Sequence, residues 1–249
     1  MTKKLTLAAF LMGVVLILLA GSILMKNDFL HVYPPVAPKR EQPGDPMDAP
    51  QDTLAQQMEG MDLLVVVNKR YPLAEEYEPV GLRQANVAVV DGNVMLIDAA
   101  ASALEEMFAA ASADGVSLVC SAGYRSKQRQ EALYQSYVDA VDAAYADEVC
   151  ARPRYSEHET GLAVDLSKEM DEGFVDTVEG QWLAEHAWEH GFVLRYPQGK
   201  EEVTGFPFTP GHYRYVGKEA AQAIVEKELT MEEYLDIEGG EYASMEEHE

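Results

Sequence analysis

Ser156-Glu157-His158-Glu159-Thr160-Gly161-Leu162-Ala163-Val164-Asp165 is the stretch that decides how the chain folds. His158 and Asp165 stand seven residues apart with Gly161 between them, so a turn at the glycine folds the segment back and aims an imidazole and a carboxylate at one point. A third candidate, His212, follows 47 residues after Asp165 in Gly211-His212-Tyr213-Arg214-Tyr215. Two neutral imidazoles and one carboxylate, with a fourth position left open, suit a catalytic zinc. Val164 to Leu166 is apolar around Asp165, which predicts a strand carrying that ligand.

Upstream, Val116 to Cys120 reads as a buried strand that delivers Ser121-Ala122-Gly123-Tyr124-Arg125-Ser126 to a helix over about 127–146. Arg125 therefore sits at a strand-to-helix junction, where side chains project into clefts. Its guanidinium can take a carboxylate through two parallel hydrogen bonds, which a lysine cannot reproduce. A purely structural role, capping the helix or pairing with Asp139 or Glu131, is equally compatible with the local sequence.

The surrounding pattern predicts the scaffold. Leu63 to Val67 is a buried-strand candidate, and Val87–Val90 and Val94–Ile97 form a hairpin across Asp91-Gly92-Asn93. A helix runs from Asp98 to about Ser112 and stops at Asp114-Gly115. Further on come a helix over Gln181 to His190, a strand over Phe192 to Tyr196 and a last helix over Lys218 to Glu228.

The two ends differ in kind from the middle. Residues 1–4 carry Lys3 and Lys4, and 5–25 contain no charge, long enough at about 1.5 Å per residue to cross a hydrocarbon core of about 30 Å. This favours an uncleaved single-pass transmembrane anchor, with the N-terminus inside and the rest of the chain outside, over a signal peptide cut near Ala20-Gly21-Ser22. Residues 26–60 are Pro-rich and aperiodic, a linker; 61–235 make the folded domain; 236–249 form an acidic, solvated tail. A net charge of -24 argues against nucleic acid as a partner. No protein partner is evident, and the two cysteines, Cys120 and Cys150, fit either one disulfide or two buried thiols.

Several separate motifs now agree. Ser121–Ser126, Ser156–Asp165, W-L-A-E-H-A-W-E-H-G-F from Trp182, R-Y-P-Q-G-K-E from Arg195, T-G-F from Thr204 and H-Y-R-Y-V-G from His212, in this order and spacing, resemble the VanY-type zinc D-alanyl-D-alanine carboxypeptidases over about 63–235. The resemblance implies an α+β fold, Hedgehog/DD-peptidase-like, whose small antiparallel sheet cradles the zinc and is flanked by helices. It implies that His158, Asp165 and His212 hold Zn2+, that Arg125 receives the terminal carboxylate of the substrate, and that Ser121 and Ser156 line its pocket. The implied activity is removal of the last D-Ala from peptidoglycan stem peptides, by a protein of the bacterial cell membrane with its catalytic domain extracellular. One departure stands out. The family has Glu-Pro-Trp-His where this chain has Thr209-Pro210-Gly211-His212, so the position of the general base is Thr209, whose hydroxyl does not shuttle protons near neutral pH. Glu157, Glu159, Glu201 and Glu202 lie near the site in sequence, and each reads as solvent-exposed.

Overall fold

The computed structural model describes residues 63–167 and 172–242. The anchor at 5–25, the linker up to 60 and the tail from 243 onward lie outside the described residues, as do 168–171. Among the described residues, no helix is long and apolar enough to cross a membrane.

The site rests on a three-stranded antiparallel sheet. Its strands β3 (Ala163–Asp165), β4 (Phe192–Leu194) and β5 (His212–Tyr215) lie in the order β3-β5-β4. Side chains alternate across a strand, so Tyr213 and Tyr215 join one apolar cluster while His212 and Arg214 face the other way. The register places Asp165 directly opposite His212, with Val164 opposite Tyr213. Directly opposed residues share a face with Cβ atoms about 4.5–5.5 Å apart, so pairing alone brings carboxylate and imidazole together.

A second, two-stranded sheet pairs β1 (Leu82–Gln84) with β2 (Met95–Ile97). The hairpin is thus wider than the sequence suggests. Val87–Val90 turns instead to the segment before Ser121, where the Val90 N–H donates to Cys120 O at 2.9 Å and the Cys120 N–H donates to Ala88 O. From β2 the chain enters α1 (Asp98–Ala113). This helix buries Ala100, Leu104, Met107 and Ala111, one face at helical spacing, against Leu96, Leu162, Val164 and Phe192. Alanines on the buried face let it lie close, and Leu104, fully buried, would cost about 2–5 kcal/mol if cut to alanine. Behind the sheet, Val193 and Val216 pack on α6 (Lys218–Glu226) and α7 (Met231–Leu235).

Four further expectations are corrected. The long helix after Arg125 is two helices, α2 (Lys127–Ala140) and α3 (Ala143–Val149), because the Asp142 carboxylate caps the second by accepting from the Tyr145 N–H at 2.8 Å. Leu63–Val67 forms no strand among the described residues; its carbonyls at Leu63 and Val65 accept hydrogen bonds from the Arg214 guanidinium. The helix read over Gln181–His190 is α4 (Val178–His186) continued by a 3₁₀ turn at Ala187–His190, and α5 (Glu201–Thr204) is a single turn. Residues 236–242, assigned by composition to the solvated tail, pack on the domain, where the Tyr242 hydroxyl accepts from the Arg152 N–H at 2.9 Å. Cys120 and Cys150 are both free and buried, which decides for thiols over a disulfide. Burial pushes the Cys150 thiol up to about 11.

Candidate metal centre

The motif at Ser156–Asp165 folds as a tight 3₁₀ turn over Glu157–Thr160, closed by Gly161 at φ 71°. That left-handed angle favours glycine, and any Cβ there would lie 2.8 Å from Leu82 Cδ2 and displace that side chain. The Thr160 hydroxyl locks the turn by donating to Glu157 O at 2.6 Å and accepting from the Leu162 N–H at 3.0 Å. The chain then reverses into β3.

The turn aims His158 inward. Its Nδ1 lies 2.7 Å from Gly123 O, and since a carbonyl only accepts, Nδ1 carries the proton and Nε2 is a bare lone pair. That Nε2 faces Asp165 Oδ2 at 3.3 Å, while His212 Nδ1 faces Asp165 Oδ1 at 2.9 Å. One donor atom from each of the three residues lies within 4.8 Å of the others. A four-coordinate divalent ion with bonds of about 2.1 Å has ligand edges of about 3.4 Å, so these separations fit one. The bare His158 nitrogen set against a carboxylate is the stronger sign. Two lone pairs facing at 3.3 Å repel each other, and a cation between them would remove that cost, so the pair is suited to hold one.

Electrostatics follow the same geometry. Burial alone would raise the Asp165 pKa, but the two imidazoles hold it well below the usual carboxylate range. Burial lowers that of His158. For His212 burial works in the same direction, yet its contacts with Asp165 and Glu157 raise it on balance.

Sequence reasoning missed what stands behind His212. Glu157, expected at the surface, is fully buried: Oε1 accepts from Arg195 Nε at 2.7 Å and Arg214 Nη1 at 2.8 Å, and Oε2 lies 3.6 Å from His212 Nε2. Burial would raise its pKa, but the two guanidiniums hold it well below the usual range. Arg195 makes two more bonds, to both oxygens of Glu232, and Tyr196 stacks on the His212 ring at 5.0 Å. Glu159 is buried as well, accepting from Arg154. Glu201 and Glu202 are exposed on α5, as expected.

The remaining predicted residues ring this centre. The Arg125 N–H donates to His158 O at 3.0 Å, and its Nη1 donates to Gln130 Oε1 at 2.7 Å. Gln130, buried on α2, is anchored in turn to Ala151 O, and nothing in the local sequence marked it. Arg125 thus pairs with neither Asp139 nor Glu131. The Ser121 N–H donates to Asp165 O, which ties it to the edge of β3, and Ser156 is buried at the head of the turn. Thr209 lies three residues before His212; its carbonyl accepts from the His212 N–H and its hydroxyl donates to Pro207 O at 2.9 Å.

Comparison with known proteins gives a consistent picture. The family model described as VanY, D-alanyl-D-alanine carboxypeptidase, matches residues 93–218. The Bacillus subtilis protein YodJ, a putative carboxypeptidase by name, is 39% identical over 184 residues, which is 70% of this chain and 67% of that one. Among solved structures, the LdcB LD-carboxypeptidase superposes with a TM-score of 0.67 at 38% identity, over 71% of this chain and 87% of that one. A mutant of the D,D-pentapeptidase VanY from a VanB-type resistance cassette, in complex with Zn(II), does so with a TM-score of 0.61 at 34% identity, over 70% and 99%.

Proposed function

The chain belongs to the VanY D-alanyl-D-alanine carboxypeptidase family, and on that premise we propose that it is a zinc-dependent carboxypeptidase releasing the C-terminal D-alanine of peptidoglycan stem peptides. The observation that carries this is the convergence of His158 Nε2, Asp165 and His212 Nδ1 beside an arginine whose backbone is bonded to the first ligand. When bound, zinc supplies Lewis acidity that polarises a carbonyl and acidifies water at neutral pH. The protein's own contribution is positional. Arg125, steadied by Gln130, grips the terminal carboxylate of the peptide, so only the last peptide bond lies beside the metal ligands. Ser121 and Ser156 flank that bond from the edge of β3 and the head of the turn.

Proton transfer is the weak step. Glu157 is turned to the far side of His212 and held by two arginines, and Glu159 is spent on Arg154, so neither supplies a base at the open face. Thr209 at the family's glutamate position leaves out a contribution of about 10² to 10⁴-fold. We therefore place this chain among the slow members, and the same observation supports a second reading, a zinc domain that holds stem peptides with scarcely any turnover. Residues 5–25 would tether the domain to the outer face of the bacterial membrane, where stem peptides lie.

The deciding experiment incubates the zinc-loaded protein with pentapeptide and tetrapeptide stems and measures D-alanine. Release that is abolished by a chelator and by His158→Ala supports hydrolysis, and the better substrate tells D,D- from L,D-cleavage. Saturable peptide binding without release supports the second reading, and neither binding nor release overturns both.

A further inference from the structure

The carbonyl of Ala151 and the N–H of Arg152 belong to one peptide unit, and each end of that unit is held by a different part of the chain. Ala151 O accepts from Gln130 Nε2 at 2.6 Å, and the Arg152 N–H donates to the Tyr242 hydroxyl at 2.9 Å. A trans peptide is planar with its C=O and N–H pointing in opposite directions, so whatever fixes one end aims the other. The aim matters for the site. Ala151 O can only accept and the Arg125 guanidinium can only donate, which leaves the Gln130 amide one arrangement: its NH2 toward Ala151 O and its Oε1 toward Arg125 Nη1, 2.7 Å away. A tilted carbonyl would free that amide to turn, and its NH2 would then meet the guanidinium donor to donor.

Tyr242 is itself fixed in place. It ends a strap of chain from Asp236 that composition alone assigns to solvent. The Ile237 N–H donates to Glu232 O at 3.0 Å, Asn68 Nδ2 donates to Glu238 O at 3.4 Å, and a Cβ on Gly239 would lie 1.9 Å from Val203 O, so the strap runs flush against α5. The Tyr242 ring is gripped as well as its hydroxyl. The Arg152 guanidinium lies 4.0 Å from the ring centroid and Tyr155 meets the ring edge-on at 5.2 Å. Asp147 takes the same guanidinium through two bonds, at 2.8 and 2.7 Å.

We propose that Tyr242 is a positioning residue for the terminal carboxylate of the substrate, acting through the Ala151–Arg152 peptide unit and Gln130 on Arg125. The inference rests on Arg125 as the carboxylate grip of the proposed function and extends it to the strap that keeps the grip in shape. The last described residue of the chain thereby sets how strongly the site prefers a free chain end.

Two peptides test this, a pentapeptide stem with its terminal carboxylate and the same peptide as its C-terminal amide. Their dissociation constants are measured by calorimetry on the full chain, zinc-loaded and zinc-stripped, the stripped form excluding turnover. The wild type is expected to prefer the acid, and Arg125→Ala to bind both forms alike. Tyr242→Phe keeps the ring and removes only the acceptor. It should weaken the acid form by at least about twofold and up to about tenfold, the worth of one hydrogen bond, with the amide form and zinc affinity unchanged. Tyr242→Leu should lose at least as much, whereas Glu241→Gln, which breaks only the strap's contact with Lys69, should keep the wild-type preference. A second readout needs no peptide. The Gln130 side-chain amide, identified in 1H–15N spectra by its absence from Gln130→Ala, should exchange its protons slowly in the wild type and faster in Tyr242→Phe.

A Tyr242→Phe protein whose acid preference falls by less than about twofold overturns the proposal, as does one that weakens both peptides equally or leaves the Gln130 amide unchanged. The levels separate. A wild type that binds acid and amide alike sinks the grip and this proposal together and leaves hydrolysis to the D-alanine assay. A wild type that prefers the acid but releases no D-alanine sinks the enzymatic reading alone, and D-alanine release with full acid preference in Tyr242→Phe sinks only the role of Tyr242.

Discussion

Replacing Glu232 with alanine should unfold the back of the metal centre without touching a ligand. Glu232 and Arg195 have no exposed surface, and they are joined by two bonds, Nη1 to Oε2 at 2.9 Å and Nη2 to Oε1 at 2.6 Å; Asn68 adds a third to the same carboxylate at 3.0 Å. Truncation leaves two guanidinium N–H groups and one amide N–H without acceptors in a site closed to water. It also leaves Arg195 and Arg214 sharing Glu157 as their one remaining counter-charge in this array. Breaking a buried pair from one side costs about 3–5 kcal/mol, far more than the net worth of the pair. In a domain of roughly 180 residues each kcal/mol moves the melting point by about 2–4 °C, so the expected drop is about 6–20 °C. Glu232→Gln, which keeps the shape and one acceptor, should fall between. Calorimetry of the metal-free proteins measures all three. A decrease under about 3 °C for Glu232→Ala refutes the claim that this array is buried and mutually dependent.

Three more outcomes follow from the site. Thr209→Glu combined with Gly211→Trp should raise kcat for D-alanine release by about 10² to 10⁴-fold, about 3–5 kcal/mol of barrier, with little change in KM; unchanged kcat in a folded, zinc-loaded double variant would show that the missing base lies elsewhere. Gly161→Ala should cost at least about 1–2 kcal/mol for the left-handed backbone alone, before the clash with Leu82, and this is readable as a lowered urea midpoint at unchanged m-value. Asp165 and Glu157 both titrate below their ordinary range, so the unfolded chain takes up protons first as pH falls. The stability they supply is complete above about pH 4–5 and is lost progressively below it, and denaturation of the metal-free protein from pH 7 to pH 2 should follow that course.

What could be read from the sequence was whatever is encoded locally. His158, Gly161 and Asp165 sit within one turn and one strand, so residue type and spacing were enough to bring two ligands together, and His212 came from a second motif with strand character. Glu157 is the opposite case. Its counter-ions lie 38 and 57 residues away, and a glutamate beside a histidine carries no mark of its distant arginines, so it looked like a surface charge. Gln130 escaped for the same reason. The break between α2 and α3 was hidden by composition, because an alanine-rich run sustains a helix until one side chain, Asp142, competes for the backbone. Leu63–Val67 is apolar, but its carbonyls bond to a guanidinium on β5 instead of a neighbouring strand, which periodicity does not report.

Asn68 reaches both Glu232 and the carbonyl of Glu238, while Lys69 lies 3.5 Å from Glu241 and over the ring of Tyr242. The described chain therefore enters and leaves the domain through one doorway, on residues knotted to each other by charge and ring contacts. Such a topology is nearly circular already. A short glycine-rich splice across this doorway, with new termini opened at the exposed Asp91-Gly92 turn, should yield a permuted protein that still assembles both ligand-bearing motifs.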